Sequence, residues 1–321
     1  MKRRTFLLAG LGTAGALVIG WGLRPPRPRL AGGAPVPQRD GDVALNGWLV
    51  LGRDGSTTVV VPKAEMGQGI HTALAMLLAE ELDADWASVR VVHAPIDRLY
   101  GNIAVIVDAL PFHPDDRGPL VRSVRWLTAK VAREAGIMTT GGSSSVADCW
   151  EPIRLAGATA RAQLVATAAR AWGVSPDACT TESGRVRHTD GRSIGYGELV
   201  AAYPVLDRPA TVTYKDPARY RLIGTSVRRL EGDAKARGRA PFALDERPPG
   251  LRHAALRCCP VLGGRVRTVD ATAARALPGV EAIVTVPPLH GGTGAVAVVA
   301  ATHWHATRAL DALRIEWDEG E

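Results

Sequence analysis

Phenylalanine is scarce, with 3 in 321 residues, and aromatic residues make up only 5% of the chain. A core built on stacked rings is excluded, so burial must rest on aliphatic and small side chains. Cysteine is equally sparse. Cys149, Cys179, Cys258 and Cys259 form no C-x-x-C pair and have no histidine at finger or ribbon intervals. That argues against a structural zinc site and against an iron–sulfur cluster held by this chain. A Cys149–Cys179 disulfide stays open, and the vicinal Cys258–Cys259 reads as two small buried hydrophobes. Acidic residues are missing from positions 1–29, where Lys2, Arg3, Arg4, Arg24, Arg27 and Arg29 supply six of the seven net positive charges. The rest of the chain is nearly neutral, so its high pI does not indicate a nucleic-acid partner.

What is present begins with Lys2-Arg3-Arg4-Thr5-Phe6-Leu7-Leu8 and an apolar run to Leu23. Gly10, Gly12, Gly15, Gly20 and Gly22 interrupt that run, each costing a buried helix about 1 kcal/mol relative to alanine. The paired arginines resemble a twin-arginine signal, the address of proteins exported already folded, and place the chain in the periplasm. Phe6 to Leu23 is at the lower limit for a membrane span, so an uncleaved inner-membrane anchor stays open. Residues 1–24 read as signal or anchor, and residues 25–42 as a Pro-rich linker.

The body alternates in period. Trp48–Leu51 and Thr57–Val61 flank Asp54-Gly55, a hairpin signal. A glycine loop, Gly67-Gln68-Gly69, precedes a helix over 71–82 with Leu74, Leu77, Leu78 and Leu82 on one face. A strand over 89–94 returns. Further helices are expected over 121–135 and 153–172, the latter stopped by Gly173, with a turn at Gly141–Ser145 ahead of it. From about Arg228 onward, strands near 254–256, 266–269, 280–284, 296–300 and 313–317 alternate with short helices. The class is mixed α/β (α+β).

Backbone N–H groups at the start of the helix after Gly67-Gln68-Gly69 can face an anionic ligand, and glycine lets that ligand approach the main chain. The loop is neither a dinucleotide fingerprint nor a phosphate loop, because no Lys-Ser/Thr follows. Likewise, no G-x-S-x-G elbow surrounds Ser143–Ser145, which argues against a serine nucleophile there.

Several segments in order carry a family resemblance. Glu65-Met66-Gly67-Gln68-Gly69-Ile70-His71-Thr72, Ala79-Glu80-Glu81-Leu82, Ala94-Pro95, Tyr100-Gly101-Asn102, Thr140-Gly141-Gly142-Ser143-Ser144-Ser145 and Arg154-Leu155-Ala156-Gly157 resemble the molybdopterin-binding large subunits of the xanthine dehydrogenase family, of the isoquinoline 1-oxidoreductase beta type. Arg229-Leu230-Glu231-Gly232-Asp233, Pro249-Gly250-Leu251 and Leu277-Pro278-Gly279-Val280 resemble that family's a/b hammerhead domain. The resemblance implies a molybdopterin-binding domain over 43–225, incomplete, and a hammerhead-like domain over 226–321. By it, Gly67, Gln68, Gly69, Gly141, Gly142 and Ser143 bind a molybdopterin cytosine dinucleotide, and Glu65 and His71 pack beside the first loop or support it. It further implies oxidation of aldehydes or N-heterocycles, an iron–sulfur small subunit and a cytochrome electron acceptor. The family's GGxFG segment and late catalytic glutamate have no counterpart here, so no catalytic residue and no metal ligand is assigned. The cofactor is then shared with a remaining large-subunit portion, and the chain alone is inactive. The alternative expectation is a non-catalytic exported binding or assembly module.

Overall fold

The computed structural model describes Gly20, Trp21 and residues 29–31, 33–207, 209 and 211–320. The paired arginines and most of the 1–24 signal or anchor lie outside the described residues, as does the proline spacer 25–28. Among the described residues no helix is long and apolar enough to cross a membrane. The chain divides into two compact units, to Ala240 and from Pro241.

In the first unit, β1 (Val43–Asn46), β2 (Leu49–Leu51), β3 (Thr57–Val61) and β4 (Val89–His93) form one sheet in sequence order. The hairpin register Leu49↔Val59 and Leu51↔Thr57 follows from Asp54-Gly55, where Gly55 takes φ +83°. Helix α1 (Ile70–Leu82) crosses from β3 to β4, and those two strands are accordingly parallel. A short helix, α2 (Ile103–Asp108), and a longer one, α3 (Pro119–Ala135), follow. The long helix α4 spans Ser145–Trp172, eight residues more at its start than the periodicity indicates, with Pro152 inside it. Gly173 ends it at φ +67°, as expected of a left-handed cap. A second sheet joins β5 (Cys179–Glu182), β6 (Arg185–His188) and β7 (Ser193–Gly195), after which α5 (Tyr196–Ala202) packs back on the core.

The broadest packing in this unit is α1 on α4. Leu74, Leu78 and Leu82 meet Ile153, Ala156, Ala160 and Leu164, all essentially inaccessible. Small residues let the backbones close together. A Cβ on Gly157 would lie 2.7 Å from the Leu78 carbonyl oxygen, nearer than any side chain can sit. This contact also fixes function-related geometry, because α1 begins at the first glycine loop and α4 at the second.

The first compact unit runs to Ala240 and includes the segment after Arg228. Thr72 Oγ1 accepts the Leu230 N–H at 3.0 Å and donates to Glu231, holding α6 (Gly232–Ala236) against the start of α1.

The second unit contains β8 (His253–Cys258), β9 (Arg265–Asp270), α7 (Thr272–Arg275), β10 (Val280–Val286), β11 (Ala295–Ala300), α8 (His303–Asp311) and β12 (Arg314–Asp318). Pairing is antiparallel, in the orders β10-β11-β8 and β12-β9. Its core is Ala255, Val296, Val298 and Ala300 against Ala306, Ala309 and Leu310. Strand alternation corrects the vicinal-cysteine reading. Ala255 faces the core, so Cys258 three positions on points the other way and is exposed, whereas Cys259 is buried. All four cysteines are free thiols, and burial pushes the Cys149 thiol up to about 12.

Candidate functional site

The first glycine loop is folded around a carboxylate. Glu65 Oε1 accepts the N–H groups of Gly67 and Gly69, each at 2.9 Å, and its Oε2 accepts that of His71 at 3.1 Å. Gly67 and Gly69 take φ +100° and +85°, which a side-chain-bearing residue adopts only with strain. Burial pushes the Glu65 carboxyl up, but the three N–H groups and the charge of Lys235 hold it below the usual carboxylate range. Gln68 is exposed and turned onto its own loop. Its Nε2 donates to the Ala64 carbonyl at 2.9 Å, and its Oε1 accepts the Met66 N–H at 2.6 Å. In this arrangement the carboxamide staples its own loop.

His71 supports the loop from below. Its Nε2 donates to the Lys63 carbonyl at 3.0 Å, and its ring meets His93 edge-on at 4.9 Å. Burial holds its pKa below the ordinary 6.5, against the opposing pull of that carbonyl.

The second loop, Gly141-Gly142-Ser143, enters α4. Gly142 takes φ +59° and Ser143 φ +51°, a left-handed pair that reverses the chain. Ser144 Oγ donates to the Gly141 carbonyl at 2.8 Å and accepts from Asn102 Nδ2 at 2.8 Å. No side chain caps the start of α4. The buried Asn102 also donates to the Thr139 carbonyl and accepts the Val105 N–H, so the Tyr100-Gly101-Asn102 turn and the second loop form one piece. The Ala64 N–H donates to Thr140 Oγ1 at 2.8 Å, which pins the two glycine loops side by side.

Gly141 is the informative residue of the six. It has no left-handed φ, and a Cβ there would meet nothing within 4 Å. Among the described residues nothing within 4 Å of a Cβ requires glycine at this position. A ligand or a further polypeptide lying close against the main chain would require it. Gly67 faces open space in the same way. The two loops thus leave main chain accessible side by side, with the first loop's Gly67, Gly69 and His71 N–H groups already taken by Glu65. They do so as an open surface: the cavity of about 440 Å³ nearby is lined by Arg29, Ile103, Val107, Arg133, Asp148 and Pro152 and by none of the six loop residues. Among the described residues no cluster of three or more His, Cys, Asp or Glu is arranged to hold a metal ion.

Two buried charge networks escape the sequence reading. Asp148 joins Lys63 and Arg29 beneath the loops. Arg29, counted with the leader by its charge, reaches the Leu99 and Gly101 carbonyls as well. On the far side of α1, Glu80 accepts the N–H groups of Arg221, Leu222 and Ile223 and pairs with Lys215 Nζ at 2.7 Å. Glu81 takes Arg154 Nε and Nη2 at 2.9 and 2.7 Å. A charge amid an apolar helix face, as at Glu80-Glu81 and Asp148, is the available signal, but it does not name the partner. The arginines after Arg228 divide: Arg237 and Arg239 pair with Asp233, while the Arg229 guanidinium lies over Gly69, 3.6 Å from where a Cβ would be.

Burial raises the Asp148 and Glu80 carboxyls, yet the cations and N–H groups around them win and both lie below the usual range. The fold prefers Asp148, Glu80 and Glu65 ionised and His71 neutral. Stability is therefore complete above the unfolded pKa values. It falls as acid protonates His71 from about pH 6.5 downward, and the carboxylates below about pH 4.5. Urea midpoints should drop steadily between pH 7 and pH 4, and a flat profile would refute these assignments.

Residues 19–102 match the model of a molybdopterin cofactor-binding domain. The chain is 33% identical over 282 residues to a membrane-bound aldehyde dehydrogenase (pyrroloquinoline-quinone) of Gluconacetobacter polyoxogenes, covering 85% of this chain and 32% of that protein. It is 33% identical over 310 residues to the beta subunit of isoquinoline 1-oxidoreductase of Brevundimonas diminuta, covering 86% and 35%. With a nicotinate dehydrogenase subunit of Pseudomonas putida it shares 27% over 319 residues, 96% of this chain and 23% of that one. The chain thus spans about a third or less of the length of these relatives.

Proposed function

We propose, from the molybdopterin-binding match over residues 19–102 and 33% identity to an isoquinoline 1-oxidoreductase beta subunit and a membrane-bound aldehyde dehydrogenase, that this chain is part of a molybdopterin-binding large subunit and supplies part of the cofactor-holding surface of an oxidoreductase acting on aldehydes or N-heterocycles. The observation that carries this reading is the pair of open glycine loops pinned by Ala64 and Thr140, with no described residue within 4 Å of a Cβ on Gly141. Gly141, Gly142 and Ser143 would hold the cofactor through the main chain, while Gly67 and Gly69, whose N–H groups Glu65 accepts, would let it approach the first loop closely and Gln68 would keep that loop in shape. When bound, the molybdenum cofactor supplies the two-electron oxidation. The residues of this chain bind and orient; Glu65 fixes the shape of the first loop by accepting its Gly67, Gly69 and His71 N–H groups, and His71 stays neutral beneath it.

The cytosine dinucleotide form, an iron–sulfur subunit and a cytochrome acceptor belong to the same proposal, as does export to the periplasm through the Arg3-Arg4 leader. We further propose that turnover requires the remaining large-subunit portion, since the loops form an open surface and the relatives are about three times longer. The test is to co-express the chain with the remaining portion of a related large subunit and its iron–sulfur subunit, and to assay dye-linked oxidation of an aldehyde and of an N-heterocycle. Turnover by the complex and none by the chain alone is expected. A stable complex that contains molybdenum and oxidises neither would leave the non-catalytic module as the better reading. One relative is named for a quinone, so the same preparation is checked for pyrroloquinoline quinone; its presence in place of molybdenum would overturn the cofactor assignment.

In that complex Gln68→Ala is expected to loosen the first loop and lower molybdenum content severalfold, while the denaturation midpoint of the chain stays within about 0.5 kcal/mol of wild type, as for other exposed loop positions. Unchanged molybdenum content would show that the staple is dispensable.

A further inference from the structure

We infer that Asp148 is a positioning residue, whose single carboxylate ties both glycine loops and the turn between them to one point beneath the cofactor-facing surface. The inference rests on the cofactor reading above but concerns only residues of this chain. Asp148 lies in the first turn of α4, four residues after the second glycine loop ends at Ser144. Its Oδ2 accepts Lys63 Nζ at 3.0 Å, and Lys63 lies two residues beyond the end of β3 on the way to the first loop. Its Oδ1 accepts the Ile103 N–H at 2.9 Å and is 3.4 Å from the Ala104 N–H, the backbone that follows the Asn102 turn. Arg29 closes the group, with Nη1 and Nη2 each 3.2 Å from the carboxylate and Nη1 also on the Asp148 carbonyl at 2.9 Å.

The three side chains are 0%, 1% and 10% exposed for Lys63, Asp148 and Arg29. Burial of this kind is a poor device for stability alone, because well-packed apolar residues in place of a buried ion group often leave a protein as stable or more so. What apolar residues cannot do is bond three chain segments in fixed directions at once. Each segment here leads directly into a loop that faces the ligand surface. The Ala64–Thr140 bond then joins loops whose roots are already aligned.

The test separates positioning from plain stability in the full chain. Two variants are compared with wild type: Asp148→Asn, and the apolar triple Arg29→Leu, Lys63→Met, Asp148→Leu. Denaturation midpoints are measured together with amide hydrogen exchange, which reports local opening segment by segment. In the triple variant, a near-normal midpoint is expected while exchange over 64–71 and 137–146 accelerates about tenfold or more. Wild-type exchange in both loops at a wild-type midpoint would overturn the inference. Should the triple variant fail to fold, Asp148→Asn decides. Loop exchange that accelerates beyond that of the α1–α4 core supports positioning, and acceleration uniform over the chain refutes it. Molybdenum content is then read in the co-expressed complex, where both variants should fall severalfold below wild type. A wild-type complex without molybdenum would defeat the functional reading and leave the exchange result standing.

Discussion

Glu81→Ala is expected to destabilise the chain by about 3–5 kcal/mol, the cost of leaving a buried cation without its partner. Glu81 is fully inaccessible and sits on α1, where it takes the Arg154 fork from α4 and the Lys215 N–H at 2.8 Å. Removing the carboxylate strands both the guanidinium, 11% exposed, and a buried amide. Arg154 also lies over the rings of Trp150 and Tyr214, at 4.9 and 4.8 Å, which prevents it from swinging out to water. Glu81→Gln keeps an acceptor of the same shape, so its cost should fall to about 1–3 kcal/mol. Urea denaturation of the two variants checks both values. Equal and small losses would mean that the α1–α4 interface does not depend on this pair.

Gly157→Val should be as damaging by another route, about 3 kcal/mol or more, because overpacking a close helix contact moves backbone as well as side chains. A Cβ at this position would meet the Leu78 carbonyl oxygen at 2.7 Å and the Glu81 Cβ at 3.0 Å. Neither neighbour can rotate away, so α4 must separate from α1. The starts of these helices carry the two glycine loops, and the separation should strain the Ala64–Thr140 bond as well. Faster amide exchange at Ala64 in the variant, beyond that expected from the lost stability, would show the link between helix spacing and loop spacing.

The sequence made the repetitive parts legible. The Asp54-Gly55 hairpin, the leucine stripe of α1 and the Gly173 stop of α4 each depend on residues a few positions apart, and local spacing encodes them. The glycine loops were legible as motifs, and their adjacency was not, because it runs through Thr140 and a backbone N–H 76 residues away. Arg29 shows the limit most clearly: its charge and neighbours match a leader, yet its side chain is spent on Asp148, 119 residues further on. Gln68 shows another. A carboxamide between two glycines suits a ligand equally well as its own loop, and only the geometry of Ala64 and Met66 distinguishes them. The α4 start was misplaced because a proline usually marks a helix boundary, whereas Pro152 is accommodated inside the helix.

The central claim is that the two open glycine loops hold a molybdopterin cofactor through their main chain. Gly141→Val tests it most directly, since a Cβ there has no described residue within 4 Å, and the change should leave stability within about 0.5 kcal/mol of wild type. The measurement is molybdenum and released cytidine nucleotide per large subunit, wild type against Gly141→Val, in the co-expressed complex. Near-stoichiometric molybdenum in wild type and a loss of about tenfold in the variant, at an unchanged denaturation midpoint, is the expected result. Full molybdenum content in a well-folded Gly141→Val complex would contradict the account.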